Sequence, residues 1–346
     1  MTSRTPPELT SLILRSPDAV LAAVPYLLGF HPVQSAVALW LRDRRIVLTQ
    51  RLDLPLGAEQ HEQWLAALWN HSASDSAEEM ILVLASPDPA DPRLLAKVLE
   101  RAERSGLGVR DVLRVDAGRW WSLLCSDEGC CPSMGREVDA GTAASVAAEF
   151  TVVGCAPLAD REHLERSLGP DVVKQALVAA ALTTAARMPT GRDRESWRDE
   201  RISVALRTLG AAGEAPPRPE TVADLLCGLE DVRVRDTVLW EVSRWEPDRL
   251  PTVLDRLGIL LRGAPPGHVA PVATLTAIVA WLLGDGARAQ IAVVRARQDD
   301  HEYSLAQLVG ASLGAGLPPA AWRESMVGLS RDVCRHGSPQ ERRAAS

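Results

Sequence analysis

Three cysteines in one turn-rich stretch, CSDEGCCPSMG at positions 125–135, have the residue types of a chemical site. Cys125, Cys130 and Cys131 could bind a metal ion, with zinc as the candidate, or form a reversible disulfide. Zinc sites usually take four ligands, so Cys155 or a distant histidine would have to join. The adjacent thiols should point apart, and the acidic turn disfavours a reactive thiolate. We favour the third interpretation, cysteines that pack as small apolar side chains.

A second polar group surrounds the loop GFHPVQS at positions 29–35. A histidine, a serine and the downstream Asp53 are the residue types of a hydrolase triad. A nucleophile elbow lies on a strand-to-helix turn, however, whereas Ser35 precedes a strand, so we predict no catalytic residue. The loop is expected to satisfy backbone groups, with Gly29 at a positive φ. The ligand-binding candidates are Gly29, Phe30, His31, Ser35 and Asp53.

The elements that position these residues alternate between strand and helix over residues 1–155, which predicts an α/β layered domain with a mixed sheet. An apolar run at 80–85, between helical segments, is typical of a central strand. A cap at Ser16 precedes a helix that Pro25 should break. The other predicted elements are a strand at 12–14, a hairpin of 35–41 and 46–54, helices near 64–69 and 91–105, and a hairpin of 109–115 and 119–124.

From about residue 137 onward the apolar residues recur with helical spacing, which predicts an all-α domain, a bundle or solenoid, over 156–330. A disordered tail is expected at 331–346. The linkers are 210–219 and 263–267, and helices are expected near 142–150, 160–168, 170–187, 194–209, 219–229, 233–245, 248–262, 270–283, 286–298, 301–314 and 318–329. The pair Asp299 and Asp300 is expected to be solvated.

One helical pair carries the candidate residues for protein interaction. A helix that ends near Trp281, a tight turn with Asp285, and a second helix with small residues facing the first resemble a single tetratricopeptide-type hairpin. The interaction candidates are Trp281, Asp285 and, beyond the hairpin, Tyr303. Repeat arrays need several copies and one fair copy is visible, so a generic antiparallel helix pair is favoured.

Composition restricts the class of protein. The chain has 346 residues, 46% hydrophobic and 24% charged, which fits a soluble protein of two domains. The net charge of −7 argues against nucleic acid or anionic lipid as a partner. The longest apolar run, 269–283, is too short to span a bilayer and predicts a buried helix. The N-terminal segment has no secretory pattern, so a cytoplasmic location is expected.

Several of these stretches together resemble an actinobacterial family known only as a domain of unknown function. The resemblance rests on the Leu-x-Gly-Phe-His-Pro-x-x-Ser signature that ends at Ser35, the Cys-Cys-Pro turn at 130–132, and the segment from Ala280 to Ala287. It extends over nearly the whole chain. It implies a cytoplasmic protein of unassigned activity, and it assigns no site residue.

The sequence therefore favours a non-enzymatic scaffold that meets a protein partner or a second copy of itself, because tryptophan is common at interface anchors. The alternative is a small-molecule sensor or enzyme with a pocket near the 29–35 loop and the 125–131 turn. No cofactor is predicted apart from the zinc candidate.

Overall fold

The computed structural model describes residues 14–71, 76–152, 154–191, 193–213 and 215–337. Its internal contacts divide the chain into two compact units. The α/β unit runs to Leu164 and includes Gly314–Pro318, and the helical unit contains Glu165–Leu313 and the residues from Pro319 onward. A mixed sheet followed by a series of helices confirms the predicted fold class.

In the described part of the chain the sheet has six strands in the order β2-β1-β3-β4-β5-β6. Only β3 and β4 are parallel, and the other neighbours are antiparallel. The strands are β1 (Ser35–Arg42), β2 (Arg45–Asp53), β3 (Glu79–Ala85), β4 (Gly108–Asp116), β5 (Arg119–Ser122) and β6 (Arg136–Glu137). The helices of this part are α1 (Pro17–Leu28), α2 (His61–Trp69), α3 (Pro92–Arg104), α4 (Ala140–Val152) and α5 (Arg161–Leu168).

The core of the α/β unit lies on β1 and β3, which are buried along almost their whole length. Trp40 on β1 is fully buried, and its ring meets that of Trp69 on α2 edge to face at 5.7 Å. Its indole N–H donates to Gln50 Oε1 at 3.2 Å, so the polar end of this large side chain is satisfied. The apolar run at 80–85 is therefore a covered central strand, as its sequence predicts.

Helix α1 corrects one expectation, because it continues through Pro25 to Leu28. Ser16 caps it as predicted, with Oγ accepting from the Ala19 N–H at 3.2 Å. An interior proline costs about 3 kcal/mol in an exposed helix. Here six residues of α1 are buried, and the hydrophobic contacts of that face offset the cost.

The helical unit contains the predicted series of helices, with ends shifted by a few residues. They are α6 (Val172–Leu182), α7 (Asp193–Gly210), α8 (Pro219–Glu230), α9 (Val232–Val242), α10 (Leu250–Gly263), α11 (Val269–Leu282), α12 (Gly286–Asp299), α13 (Ser304–Gly314), α14 (Pro319–Val327) and α15 (Arg331–His336). Every residue of α11 is buried, which confirms the interpretation of the long apolar run. Among the described helices none has the length and apolar character needed to cross a bilayer.

Other expectations differ from the structure at the ends of elements. The expectation of a disordered tail from residue 331 is wrong for its first six residues. They form α15, and Ser330 caps the first turn of that helix. Residues 338–346 and the first two residues of the predicted strand at 12–14 lie outside the described residues. The sequence also gave no sign of β6, whose two residues are too few for a pattern.

Asp299 is not a solvated charge but the cap of the buried helix α11. Its Oδ1 accepts from the Gly267 N–H at 2.6 Å, and its Oδ2 accepts from the N–H groups of Val269 and Ala270, both at 2.9 Å. These donors have no partner within the helix, so a carboxylate from the end of α12 satisfies them.

We predict that Asp299→Ala lowers the free energy of unfolding by about 2 kcal/mol, because three backbone donors lose a charged acceptor. The measurement is the urea midpoint. Glu302→Ala is the matched control, since it removes the same charge from a side chain that is 78% exposed. Equal midpoints for the two variants would show that the cap contributes nothing.

Candidate functional site

Leu158 holds the start of the loop that contains Gly29 and His31. Gly29 ends α1 in the left-handed region at φ 78°, as the sequence predicts. Its carbonyl accepts from the Leu158 N–H at 2.9 Å, and the His31 N–H donates to the Leu158 carbonyl at 3.1 Å. Phe30, between them, is 2% exposed. The loop backbone is thus satisfied, and the His31 side chain remains exposed.

Ser35 and Asp53 belong to a structural cluster around Arg51. Ser35 is fully buried, and its hydroxyl donates to the Val33 carbonyl at 2.7 Å while accepting from Arg51 Nε at 2.9 Å. Arg51 Nη2 donates to Asp53 Oδ1 at 2.5 Å. The Ser35 hydroxyl is therefore engaged on both sides, and these contacts join the paired ends of β1 and β2.

A cavity of about 720 Å³ lies in the α/β unit, at the edge of the sheet where β3 and β4 end. We call it the sheet-edge cavity. Its floor includes Ala85 at the end of β3, Ser86 after it, and Val115 and Asp116 at the end of β4. Its walls are α1, the loop segment from His31 to Val33, and α4. Ligands of open α/β sheets bind outside the carboxyl ends of strands, which is where this cavity opens.

Asp18 on α1 connects the walls of the sheet-edge cavity. Its Oδ1 accepts from Trp120 Nε1 at 3.1 Å and from the Asp139 N–H at 2.9 Å, so the start of α1 is joined to β5 and to the start of α4. At the other end of α1 the rings of Tyr26 and Phe150 stack at 4.7 Å. Contacts between distant parts of the sequence thus connect α1 and α4 at both ends of the helix pair.

The lining of the sheet-edge cavity is mainly apolar, with polar groups at a few places. Two lining residues, His31 and Asp116, have an imidazole and a carboxylate side chain. Ser86 contributes a hydroxyl that donates to Gln34 Oε1 at 3.2 Å and accepts from the Asp88 N–H at 3.1 Å. This chemistry suits a molecule with an apolar body and one or two hydrogen-bonding groups. Of the five predicted ligand-binding candidates, His31 alone is among the described lining residues.

The cysteine turn contains a cluster of three sulfur atoms. The Sγ atoms of Cys125, Cys130 and Cys131 all lie within 4.8 Å of one another, and those of Cys130 and Cys131 are 3.9 Å apart. The adjacent thiols therefore converge, contrary to the expectation that they point apart, because the turn curls both side chains toward Cys125. Cys155 is exposed and is not a member of the described cluster.

Crowding changes the acidity of one of these thiols. Partial burial, together with hydrogen bonding to Cys125 and Cys130, raises the pKa of Cys131 to about 11. At neutral pH the Cys131 side chain is therefore a thiol rather than a nucleophilic thiolate.

The helical unit has a cavity of its own, of about 900 Å³, which the sequence did not reveal. Its lining includes Cys227, Glu230 and His268, with His268 Nδ1 at 2.5 Å from a Glu230 carboxylate oxygen. Burial, followed by the charge of Glu230, raises the pKa of the Cys227 thiol. A protonated thiol is a poor nucleophile, so this arrangement lacks the activated cysteine that Cys-His catalysis needs.

The three predicted interaction residues make contacts inside the helical unit. Trp281 is 5% exposed and meets the ring of Trp322 edge to face at 6.1 Å. Asp285 caps α12 through the Arg288 N–H at 2.9 Å. The Tyr303 hydroxyl accepts from Arg235 Nη1 at 2.9 Å. Their role in binding a partner stays a prediction.

Comparison with known proteins identifies a family whose function is unknown. A family model described as a domain of unknown function, DUF4192, matches residues 17–320. No curated protein and no solved structure matches the chain. The match extends over both units, and it agrees with the expected resemblance to a family of unassigned activity.

We predict that alkylation of Cys131 by iodoacetamide accelerates about tenfold per pH unit up to about pH 11, because only the thiolate reacts. Peptide mass spectrometry after timed labelling measures the rate at each pH. The same peptide in the urea-unfolded chain is the control, and its rate should level off near the ordinary cysteine pKa of about 8.5. A folded-state profile that levels off at that same pH would contradict the raised pKa.

Proposed function

Because the chain belongs to the DUF4192 family, a domain of unknown function, we propose its function from the geometry of the site. The α/β unit binds a small amphipathic molecule in the sheet-edge cavity. The proposed role is recognition, as in a sensor, rather than catalysis. The observation that carries the proposal is a cavity of about 720 Å³ at the carboxyl ends of the two parallel strands.

The size and lining of the cavity indicate the class of ligand. Ligand pockets in proteins measure about 300–1,000 Å³ and combine apolar walls with a few polar groups. Here α1 and α4 supply apolar side chains such as Leu21 and Ala147, and His31 and Asp116 supply the polar contacts. A neutral or weakly cationic molecule fits best, because an anionic group would meet the Asp116 carboxylate.

The fixed positions of the walls support binding with little reorganisation. The hydrogen bonds of Leu158 to the 29–35 loop and those of Asp18 hold the walls of the cavity in place before a ligand binds. A preformed site avoids the entropic cost of ordering loops on binding.

Three further parts of the proposal rest on the sequence. We propose a cytoplasmic location and an actinobacterial origin. We also propose that the protein acts through a protein partner or a second copy of itself. The described surface offers a place for such contact on α6, where Val172, Val173 and Leu177 are all more than half exposed.

We predict that Ala147→Phe weakens binding of the neutral dye Nile red, because the added ring takes up part of the cavity. Fluorescence titration of the full chain measures the affinity. Ala148→Phe is the matched control: it adds the same ring to the next residue of α4, which is exposed and outside the described lining.

His31→Asn should lower the affinity for small ligands that bear one hydroxyl or amine by about tenfold, which is the effect of one lost hydrogen bond.

Equal dye affinity in the Ala147→Phe variant and the native chain would contradict the proposal. Circular dichroism verifies that both variants fold. A library of small amphipathic molecules, screened by thermal shift, then identifies the ligand class, since a molecule that binds the native state raises the melting temperature.

A further inference from the structure

We propose that Cys125, Cys130 and Cys131 form a zinc-binding site with three thiolate ligands and a fourth coordination position open to solvent. The site is separate from the sheet-edge cavity, whose described lining contains no cysteine. It therefore stands independently of the proposed ligand-binding function.

The sulfur positions are close to those that a zinc ion requires. Zinc–sulfur bonds measure about 2.3 Å, so two sulfur atoms on a tetrahedral ion lie about 3.8 Å apart. Cys130 Sγ and Cys131 Sγ are 3.9 Å apart, and all three Sγ atoms lie within 4.8 Å of one another. Binding therefore requires the cluster to contract by at most about 1 Å.

Backbone hydrogen bonds hold the turn that carries these three thiols. The Asp127 carbonyl accepts from the N–H groups of both Cys130 and Cys131, at 3.1 and 2.6 Å. Asp127 Oδ1 accepts from the Gly129 N–H at 2.8 Å. Arg136 Nη1 donates to the Cys130 carbonyl at 2.9 Å. A turn held in this way lowers the entropic cost of ordering the loop when a ligand binds.

Trp121 anchors the rest of the turn. Its Nε1 donates to the Ser133 carbonyl at 3.0 Å, and the Arg114 guanidinium lies 3.7 Å from its ring centre. Gly135 passes against the same ring at φ 72°, where a Cβ atom would lie 2.5 Å from Trp121 Cε2. Only glycine fits at this position, so the close packing of the turn against Trp121 depends on Gly135.

The number of sulfur atoms and their surroundings favour a cation over a disulfide. A disulfide between any two members would leave the third thiol unpaired, whereas zinc uses all three. The turn carries the acidic residues Asp127 and Glu128, which favour a cation. Cys130 is exposed while Cys125 and Cys131 are partly buried, so the ion would be reachable from one side, where water completes the tetrahedron. Binding converts three thiols to thiolates and releases three protons to solvent.

The test uses the reduced, metal-free full chain and two metal probes. Co²⁺ should give a thiolate-to-cobalt charge-transfer band and the visible bands of a tetrahedral ion, at one equivalent per chain. Zn²⁺ should displace the cobalt. Competition with a chromophoric chelator then gives the zinc affinity, and Cys130→Ser should lower it by about 100-fold.

Cys155→Ser is the matched control, because it removes an exposed cysteine that is outside the cluster. It should leave the zinc affinity unchanged. The proposal is overturned if the native chain gives no charge-transfer band, or if Cys130→Ser binds zinc as tightly as Cys155→Ser. Nile red binding reports on the sheet-edge cavity in the same samples. If Cys130→Ser still binds Nile red, its fold is intact. If the native chain does not bind Nile red, that result counts against the proposed function and not against the zinc site.

Discussion

The crossover from β3 through α3 to β4 is the constraint on which the α/β unit depends. A helix that returns the chain to the starting edge makes the two strands parallel, so both carboxyl ends lie at one edge of the sheet. Strand β1 runs antiparallel to β3, with Ser35 paired to Ala85, and this brings the 29–35 loop to the same edge. The sheet-edge cavity is a consequence of this pairing.

A second requirement is that α1 and α4 cover this edge without filling it. Small side chains make this feasible, because Ala22, Ala143 and Ala147 line the walls where larger residues would close the space. The hydrogen bonds of Asp18 join the start of α1 to β5 and to the residue before α4. Apolar walls, a fixed frame and few polar groups are the conditions under which a cavity selects a ligand by shape.

Local patterns were enough to predict most elements, because a buried strand such as β3 or a capped helix such as α3 is encoded by consecutive residues. Features that depend on distant contacts were not predictable. Helix α1 continues through Pro25 because of tertiary packing, and Asp299 caps a helix about thirty residues earlier in the chain. The convergence of Cys130 with Cys131 depends on turn geometry, for which residue spacing is a poor guide. The unusual sequence of the 29–35 loop marks His31 as a candidate, whereas Asp116 resembles any residue of a hairpin turn.

Hydrogen exchange of the chain with and without Nile red tests the central claim most directly, because it locates the bound molecule without any substitution. Binding in the sheet-edge cavity predicts slower exchange in residues 21–33, 85–88, 115–118 and 143–147, with the helices from α6 onward unchanged. Protection confined to the helical unit, or absent from these four segments, would contradict the account.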